Sequence, residues 1–311
     1  ALPIMVISYG WCDIQHPDPR GAQLKRMLPI FSSIISFCDE DEDCKTWGVV
    51  WDYCALPQRG RTSGYSPKED DRTDAQLATF RAGLGDINVW YGAAHTTTLL
   101  VDVPMPPDAP NQAEYANRGW CRFERRLSAV VKDNDCLLSV SKFSGRNSYW
   151  DGVRAECGAH RPAPMLPTEF ESRMLKGIAD GSVRFTNGRD ATEIVIPQYA
   201  RGFDRLMHEA VEFDYADLNW EDDDIKQLAS CLAYAHSQGG LQHVKKLNLM
   251  RNKMGDAGLG ALTQVIRSGA MPKLREKGMQ MRFNPASKKA QADMTEALKG
   301  RRISGRSRVD P

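Results

Sequence analysis

The 311 residues include 41 basic and 40 acidic side chains, a formal net charge of +1 with His neutral, which argues against the strongly basic surface of a dedicated nucleic-acid binder. A hydrophobic fraction of 41%, a charged fraction of 26% and seven Trp belong to a folded globular protein of one large or two ordinary domains. The longest apolar runs, such as Pro3 to Ile7, are strand-sized and too short to span a bilayer.

Residues 1–142 alternate short apolar runs with amphipathic stretches, the pattern of a parallel sheet with helices on both faces. Ile4 to Ile7 is a first strand. Gly21 to Phe37 places Leu24, Leu28, Phe31, Ile34 and Ile35 at helical spacing. Thr46 to Asp52 is a second strand and Ala55 to Ser66 an irregular loop. Leu77, Phe80, Leu84, Ile87 and Tyr91 share one face of the next helix, and Thr96 to Val103 is a third strand. The four prolines between Pro104 and Pro110 forbid regular structure. A helix from Arg118 to Lys132 and a fourth strand, Cys136 to Ser141, complete this part.

Residues 143–210 are an irregular extension broken by prolines, with a fifth strand at Glu193 to Ile196 and a helix around Phe203 to Val211. In residues 211–300, Leu247-Asn248-Leu249-Met250-Arg251-Asn252 and Met279-Gln280-Met281-Arg282-Phe283-Asn284 repeat an apolar-x-apolar-x-x-Asn spacing, each followed by a helical stretch. Phe213 to Tyr215 opens a third, degenerate unit. Tandem strand-and-helix units form a short solenoid, with each Asn amide satisfying backbone groups after its strand. The alternative is a helical tail packed on the first domain. The basic tail 301–311 reads as a disordered terminus.

The chain opens Ala1-Leu2-Pro3 with no initiator Met and no signal pattern, as expected of a processed product or an excised segment. Eight Cys at 12, 38, 44, 54, 121, 136, 157 and 231, without Cys-x-x-Cys spacing, read as free thiols in a reducing intracellular compartment, the cytoplasm or an organelle. No metal site is expected. Cys12, Asp13, His16 and Asp18 fall in a turn where Asp commonly caps the following helix. The acidic run Asp39 to Asp43 lacks the spacing of a calcium loop. Neither a P-loop nor a dinucleotide-binding Gly fingerprint is present.

The most informative segment is Tyr115 to Glu124. At about 100° per residue, Trp120, Phe123, Leu127, Val130 and Val131 form one apolar stripe with Glu124 on its flank. A carboxylate there must be paired, raised in pKa, or placed in a cleft that holds a ligand. An ion pair with Arg118, Arg122, Arg125 or Arg126 is the structural alternative to a catalytic role.

Three features resemble a TIR (Toll/interleukin receptor) domain of the plant and protist type. They are the first strand ending Ile7-Ser8-Tyr9-Gly10-Trp11, the second strand running into Trp51 to Gln58, and the Trp120-Cys121-x-x-Glu124 helix. The repeats resemble leucine-rich repeats of the ribonuclease-inhibitor type. The Arg common after the first strand of plant TIR domains is absent, its place taken by Tyr9-Gly10-Trp11. The resemblance implies a flavodoxin-like sheet followed by a leucine-rich-repeat solenoid. It further implies Glu124 as the catalytic residue of an NAD+ glycohydrolase or cyclase, with NAD as substrate and no bound cofactor. Ser8, Tyr9, Gly10, Trp11, Trp51, Pro57, Trp120 and Cys121 would line the substrate site, since ligands of open parallel sheets lie at the carboxyl ends of the strands. Breaking the nicotinamide–ribose bond passes through an oxocarbenium-like centre that a carboxylate stabilises. The other expectation is a non-catalytic signalling protein, self-associating through the first domain and binding a protein partner through residues 211–300, with no nucleic acid and no membrane span.

Overall fold

The structure, a computed structural model, describes residues 2–13, 16–58 and 70–299. The distal part of the Ala55 to Ser66 loop and the basic tail lie outside the described residues. The chain divides into two compact units, Ala1–His160 with Pro167–Phe203, and Arg161–Leu166 with Asp204–Pro311. No helix among the described residues is long and apolar enough to cross a membrane.

The first unit contains, in order, β1 (Ile4–Tyr9), α1 (Ala22–Glu40), β2 (Gly48–Val50), α2 (Asp52–Ala55), α3 (Asp74–Gly85), α4 (Ile87–Gly92), β3 (Thr96–Val101), α5 (Gly119–Ser128), β4 (Leu137–Ser139), α6 (Trp150–Cys157) and α7 (Pro167–Ala179). α8 (Ile196–Glu209) begins in it. The four strands are all parallel, in the order β2-β1-β3-β4, with Ile4 opposite both Gly48 and Thr96 and Thr98 opposite Leu137. β1 and β3 occupy the centre because both their faces are apolar or hydroxyl-bearing, as strands covered from two sides require. Side chains alternate across the sheet. Met5, Ile7, Tyr9, Leu99 and Val101 pack on Met27, Ile30 and Ile34 of α1 and on Trp150 and Val153 of α6. On the other face Thr98 shares a hydrogen bond of 3.0 Å with Ser128 of α5, and Tyr91 of α4 donates its hydroxyl to the Ile7 carbonyl at 2.8 Å.

The local expectations shift in informative ways. β2 shortens to three residues at the sheet edge, and Asp52 opens the short α2 instead of ending the strand. The stretch from Leu77 to Tyr91 breaks at Asp86 into α3 and α4, whose buried residues Ile87, Asn88 and Tyr91 all lie after the break. α5 is shorter than expected and ends at Ser128. The strand expected at Glu193 to Ile196 is helical, a π turn at Ala191–Val195 running straight into α8. β-branched residues favour extended backbone here, but Ala191, Val195, Tyr199 and Phe203 recur every fourth residue and are each 0–1% exposed, a stripe that only a helix can bury. Pro197 is tolerated because it stands in the first turn of α8.

The second unit contains β5 (Glu212–Asp214), α9 (Asp222–Ser237), β6 (Lys246–Asn248), α10 (Asp256–Arg267), β7 (Met279–Gln280) and α11 (Lys288–Lys299). Its strands are parallel in the order β5-β6-β7, with Phe213, Leu247 and Met279 in one register row. The three strand-and-helix units repeat in backbone detail. Asp217, Arg251 and Phe283 follow their strands with φ of 57°, 55° and 61°. A left-handed conformation is uncommon for such residues, so its recurrence marks one turn built three times.

The repeated Asn holds each of these turns to its neighbour. Asn252 Nδ2 donates to the carbonyls of Tyr215 and Leu249 at 2.6 and 3.2 Å, while its Oδ1 accepts from the N–H groups of Leu218 and Trp220 at 3.1 and 3.0 Å. Asn284 repeats the pattern one unit on, donating to Leu249 and Met281 and accepting from Met254. Asp222 and Asp256, at the starts of α9 and α10, accept from the entry to the next helix, at Gly255 and Gly258 and at Ser287. Carboxylates there also meet the positive end of the helix dipole. Arg161, fully buried, donates to the Asp214 carbonyl at 2.8 Å and lies over the Tyr215 ring, sealing the first unit of the series.

Asn252→Ala orphans two buried N–H groups and should cost about 2–4 kcal/mol of unfolding free energy. Asn284→Ala, at a more exposed position, should cost less. Urea denaturation of the two variants checks the ranking, and equal small losses would remove the ladder as a source of stability.

Candidate functional site

The carboxyl ends of β1 and β2 and the start of α5 converge on two carboxyl groups. α5 carries Glu124 on the helix side that faces β1, next to the buried Phe123 and Leu127. The Glu124 side chain is enclosed, with the residue 6% exposed. Ser8 Oγ donates to Glu124 Oε2 at 2.5 Å and lies 2.6 Å from the Tyr115 hydroxyl. With the Ser8 proton on the carboxylate side, the Tyr115 hydroxyl supplies the remaining bond to Ser8. Burial holds the Glu124 carboxyl well above the usual carboxylate range, and the charge of Asp52 pushes the same way, against the opposing hydrogen bond from Ser8 and the nearby Tyr91 hydroxyl. Among the described residues no salt bridge reaches Glu124. Arg118, Arg122 and Arg125 give their N–H groups to backbone carbonyls instead.

The neighbouring residue of β1 builds the second half of the arrangement on the opposite sheet face. The Tyr9 hydroxyl donates to Asp52 Oδ1 at 2.7 Å, and the Tyr53 N–H donates to the same oxygen at 2.6 Å. Burial is the main cause that raises the Asp52 carboxyl, opposed by those hydrogen bonds and one from Trp11. The Trp51 ring stands edge-on to Tyr9 with centroids 5.6 Å apart, and Trp11 and His16 approach Tyr53 at 5.7 and 4.7 Å. Asp18 caps α1 by accepting the Leu24 N–H at 2.8 Å.

Gly10 is required by Arg118. A Cβ on Gly10 would stand 2.5 Å from Arg118 Nε. The guanidinium therefore fills the volume that a side chain at position 10 would need. It donates to the carbonyls of Trp11, Asn111 and Ala113 at 2.7, 3.0 and 2.8 Å, fastening the loop before α5 to the exit of β1. Burial pulls the Arg118 pKa down, against the smaller influence of the Cys121 and Cys12 thiols.

Ser8 and Cys121 thus lie with Glu124, the Cys121 carbonyl oxygen 3.4 Å from the Tyr115 hydroxyl oxygen and its thiol raised well above normal, first by burial. Tyr9 and Trp51 gather on Asp52. Trp120 turns to another partner, its indole N–H donating to Asp190 Oδ2 at 3.0 Å, and the Pro57 carbonyl accepts from Arg72. A cavity of about 500 Å³ lies between residues 110–114, Asn117, Gly181 and Arg184, and neither Ser8 nor Glu124 lines it. Sequence reasoning missed Asp52, Tyr91 and Tyr115 as members of the network. Asp52 alone left a visible signal, an acid immediately after a strand. Chemically, the arrangement is a buried carboxyl in a chain of hydroxyl groups, its ionisation opposed by burial.

No protein-family model matches the chain, and no curated protein matches it.

A carboxyl raised in the folded state loses stability as pH climbs from its ordinary value, about 4.3, through the raised one, since ionisation then opposes folding. Glu124→Gln should therefore melt at nearly the wild-type temperature near pH 4 and gain on the wild type as pH rises. Asp52 shifts in the same direction in both proteins, so the difference between their melting curves isolates Glu124. A difference that is flat with pH would refute the upward shift of the buried carboxyl.

Proposed function

We propose that the chain is a TIR-like interaction and signalling protein, self-associating through its first unit and binding a protein partner through a leucine-rich-repeat-like second unit. The strand order β2-β1-β3-β4 agrees with the first four strands of a flavodoxin-like sheet. The Asn ladder and recurrent left-handed turns fit ribonuclease-inhibitor-type repeats, which offer extended surfaces to partners. Phe283, 70% exposed beneath the Arg251 guanidinium, belongs to such a surface.

The observation that carries the proposal is the outer face of α1. Its inner face is consumed by the core, yet Leu24, Leu28 and Ile35 are 36%, 47% and 62% exposed, with half-buried Phe31 between them. Their spacing of four, three and four residues makes one continuous apolar seam. Exposed Lys25 stands at one end of the helix and exposed Asp39 and Glu40 at the other. An antiparallel copy related by a two-fold axis pairs those charges and covers the seam. Light scattering over a concentration series should show a dimer for the full chain and a monomer for Leu28→Glu/Ile35→Glu. Identical masses for the two proteins would overturn self-association through this face.

A second reading, NAD cleavage by Glu124, draws support from the raised pKa values of Glu124 and Asp52 at the carboxyl ends of the strands, where perturbed carboxyls mark functional sites. The enclosure of Glu124 by Ser8 and Tyr115 favours the first. Incubating the concentrated full chain with NAD should release no more nicotinamide than the Glu124→Ala variant. Release that the substitution abolishes would transfer the assignment to a hydrolase.

A further inference from the structure

The loop before α5 and the turn after α7 are laced together along their backbones. The Arg184 N–H donates to the Asn117 carbonyl at 2.8 Å, and the Gly119 N–H returns to the Arg184 carbonyl at 3.0 Å. Arg122 of α5 joins the same two segments, its Nε donating to the Ala116 carbonyl at 2.6 Å and its Nη2 to the Ser182 carbonyl at 3.4 Å. The loop is pinned again by Arg118, on the carbonyls of Asn111 and Ala113, and by the Gln112 amide, which donates to the carbonyls of Pro106 and Ala109 at 2.8 and 2.6 Å. Both walls of the cavity of about 500 Å³ are therefore held by bonds made within the protein.

The side chains that line this cavity are unspent. Glu114 on the loop and Arg184 on the turn are exposed and Asn117 is half-buried. Among the described residues, the Glu114 carboxylate, the Arg184 guanidinium and the Asn117 amide have no hydrogen-bond or ion-pair partner, and the two charges do not pair with each other. Opposite charges that share a cavity without meeting leave room for a ligand that carries the two complementary ones.

We infer that the cavity is a binding site for a dipeptide with free termini, its ammonium on Glu114 and its carboxylate on Arg184. The guanidinium fork matches a carboxylate with two parallel hydrogen bonds. The Asn117 amide offers both a donor and an acceptor to the peptide group between the termini, and Gln112 Oε1 offers a further acceptor. Size sets the length. The cube root of the volume is about 8 Å, and two extended residues span about 7 Å. A single amino acid carries both charges on one carbon and reaches about half as far. Because the backbones of both walls are already fixed, the ligand has no loop to order on entering. The site uses neither Glu124 nor the seam of α1, so it goes beyond the proposed function and stands without it.

The test is a ligand-observed NMR titration of the full chain with alanylalanine, its N-acetylated and C-amidated forms, and free alanine. Alanylalanine should bind saturably, and blocking either terminus should weaken it about fivefold, the scale of an ion pair in a partly open site. Glu114→Gln should bind the free and N-acetylated dipeptides alike while still preferring a free carboxylate, and Arg184→Gln should show the reverse. Neither side chain has a partner among the described residues, so both variants should melt at the wild-type temperature, which separates lost binding from lost folding. No saturable binding, equal binding of free and blocked dipeptides by the wild type, or preferences that survive both substitutions would overturn the inference. Free alanine binding as tightly as alanylalanine would overturn the dipeptide as the ligand.

Discussion

A carboxyl group buried without a salt bridge among the described residues sets the architecture at the end of β1. Glu124 is tolerated there because Ser8 and Tyr115 surround it with hydroxyls, and those residues come from β1 and from the loop before α5. The next residue of the strand, Tyr9, meets Asp52 on the other face. Strand alternation makes the two arrangements inseparable, since adjacent residues must point to opposite sides. The exit of β1 is thereby gripped from both faces, and Arg118 closes it from above by taking three backbone carbonyls. Burying the guanidinium and the carboxyls separately, each with neutral partners, replaces the ion pairs that the helix sequence offers.

The second unit solves a different problem by the same means. A strand of two or three residues buries little, and the turn after it exposes N–H and carbonyl groups that no sheet ladder reaches. Asn252 and Asn284 supply both a donor pair and an acceptor at that point, each holding the turn of the preceding unit. Stability is consequently a neighbour property, as in other repeated architectures. The first of the three turns, held by Asn252, is also closed by the buried Arg161 and Trp220, joined by the bond from the Trp220 indole to the Arg161 carbonyl.

The proposed association and the alternative chemistry draw on opposite features of the first unit. α1 spends one face on the sheet and leaves a second apolar seam in water, a costly surface unless something covers it. Glu124 is the reverse case, a polar group already covered. An uncovered apolar stripe demands a partner more directly than an enclosed carboxyl demands a substrate, and the preference between the two readings rests on that contrast.

Periodicity and composition are local, and what depends on them was legible in the chain: the parallel strand-and-helix alternation, the helical face of α1, the placement of Glu124 on the apolar flank of its helix, and the Asn spacing of the repeats. The extended preference of residues 193–196 was equally local and misled, because the stripe from Ala191 to Phe203 spans about three turns and is consumed by packing that no short window contains. Asp52, Tyr91 and Tyr115 entered the network only through the tertiary structure. Ser8 and Glu124 lie 116 positions apart, and which hydroxyl satisfies a buried carboxyl is decided by the fold's bringing strand ends and helix starts to one place. The sequence by itself determined which segments could bury an apolar face. Tertiary packing alone decided which polar groups would be shut in with them, because a hydrogen-bond partner is chosen by proximity in space and leaves no period in the chain.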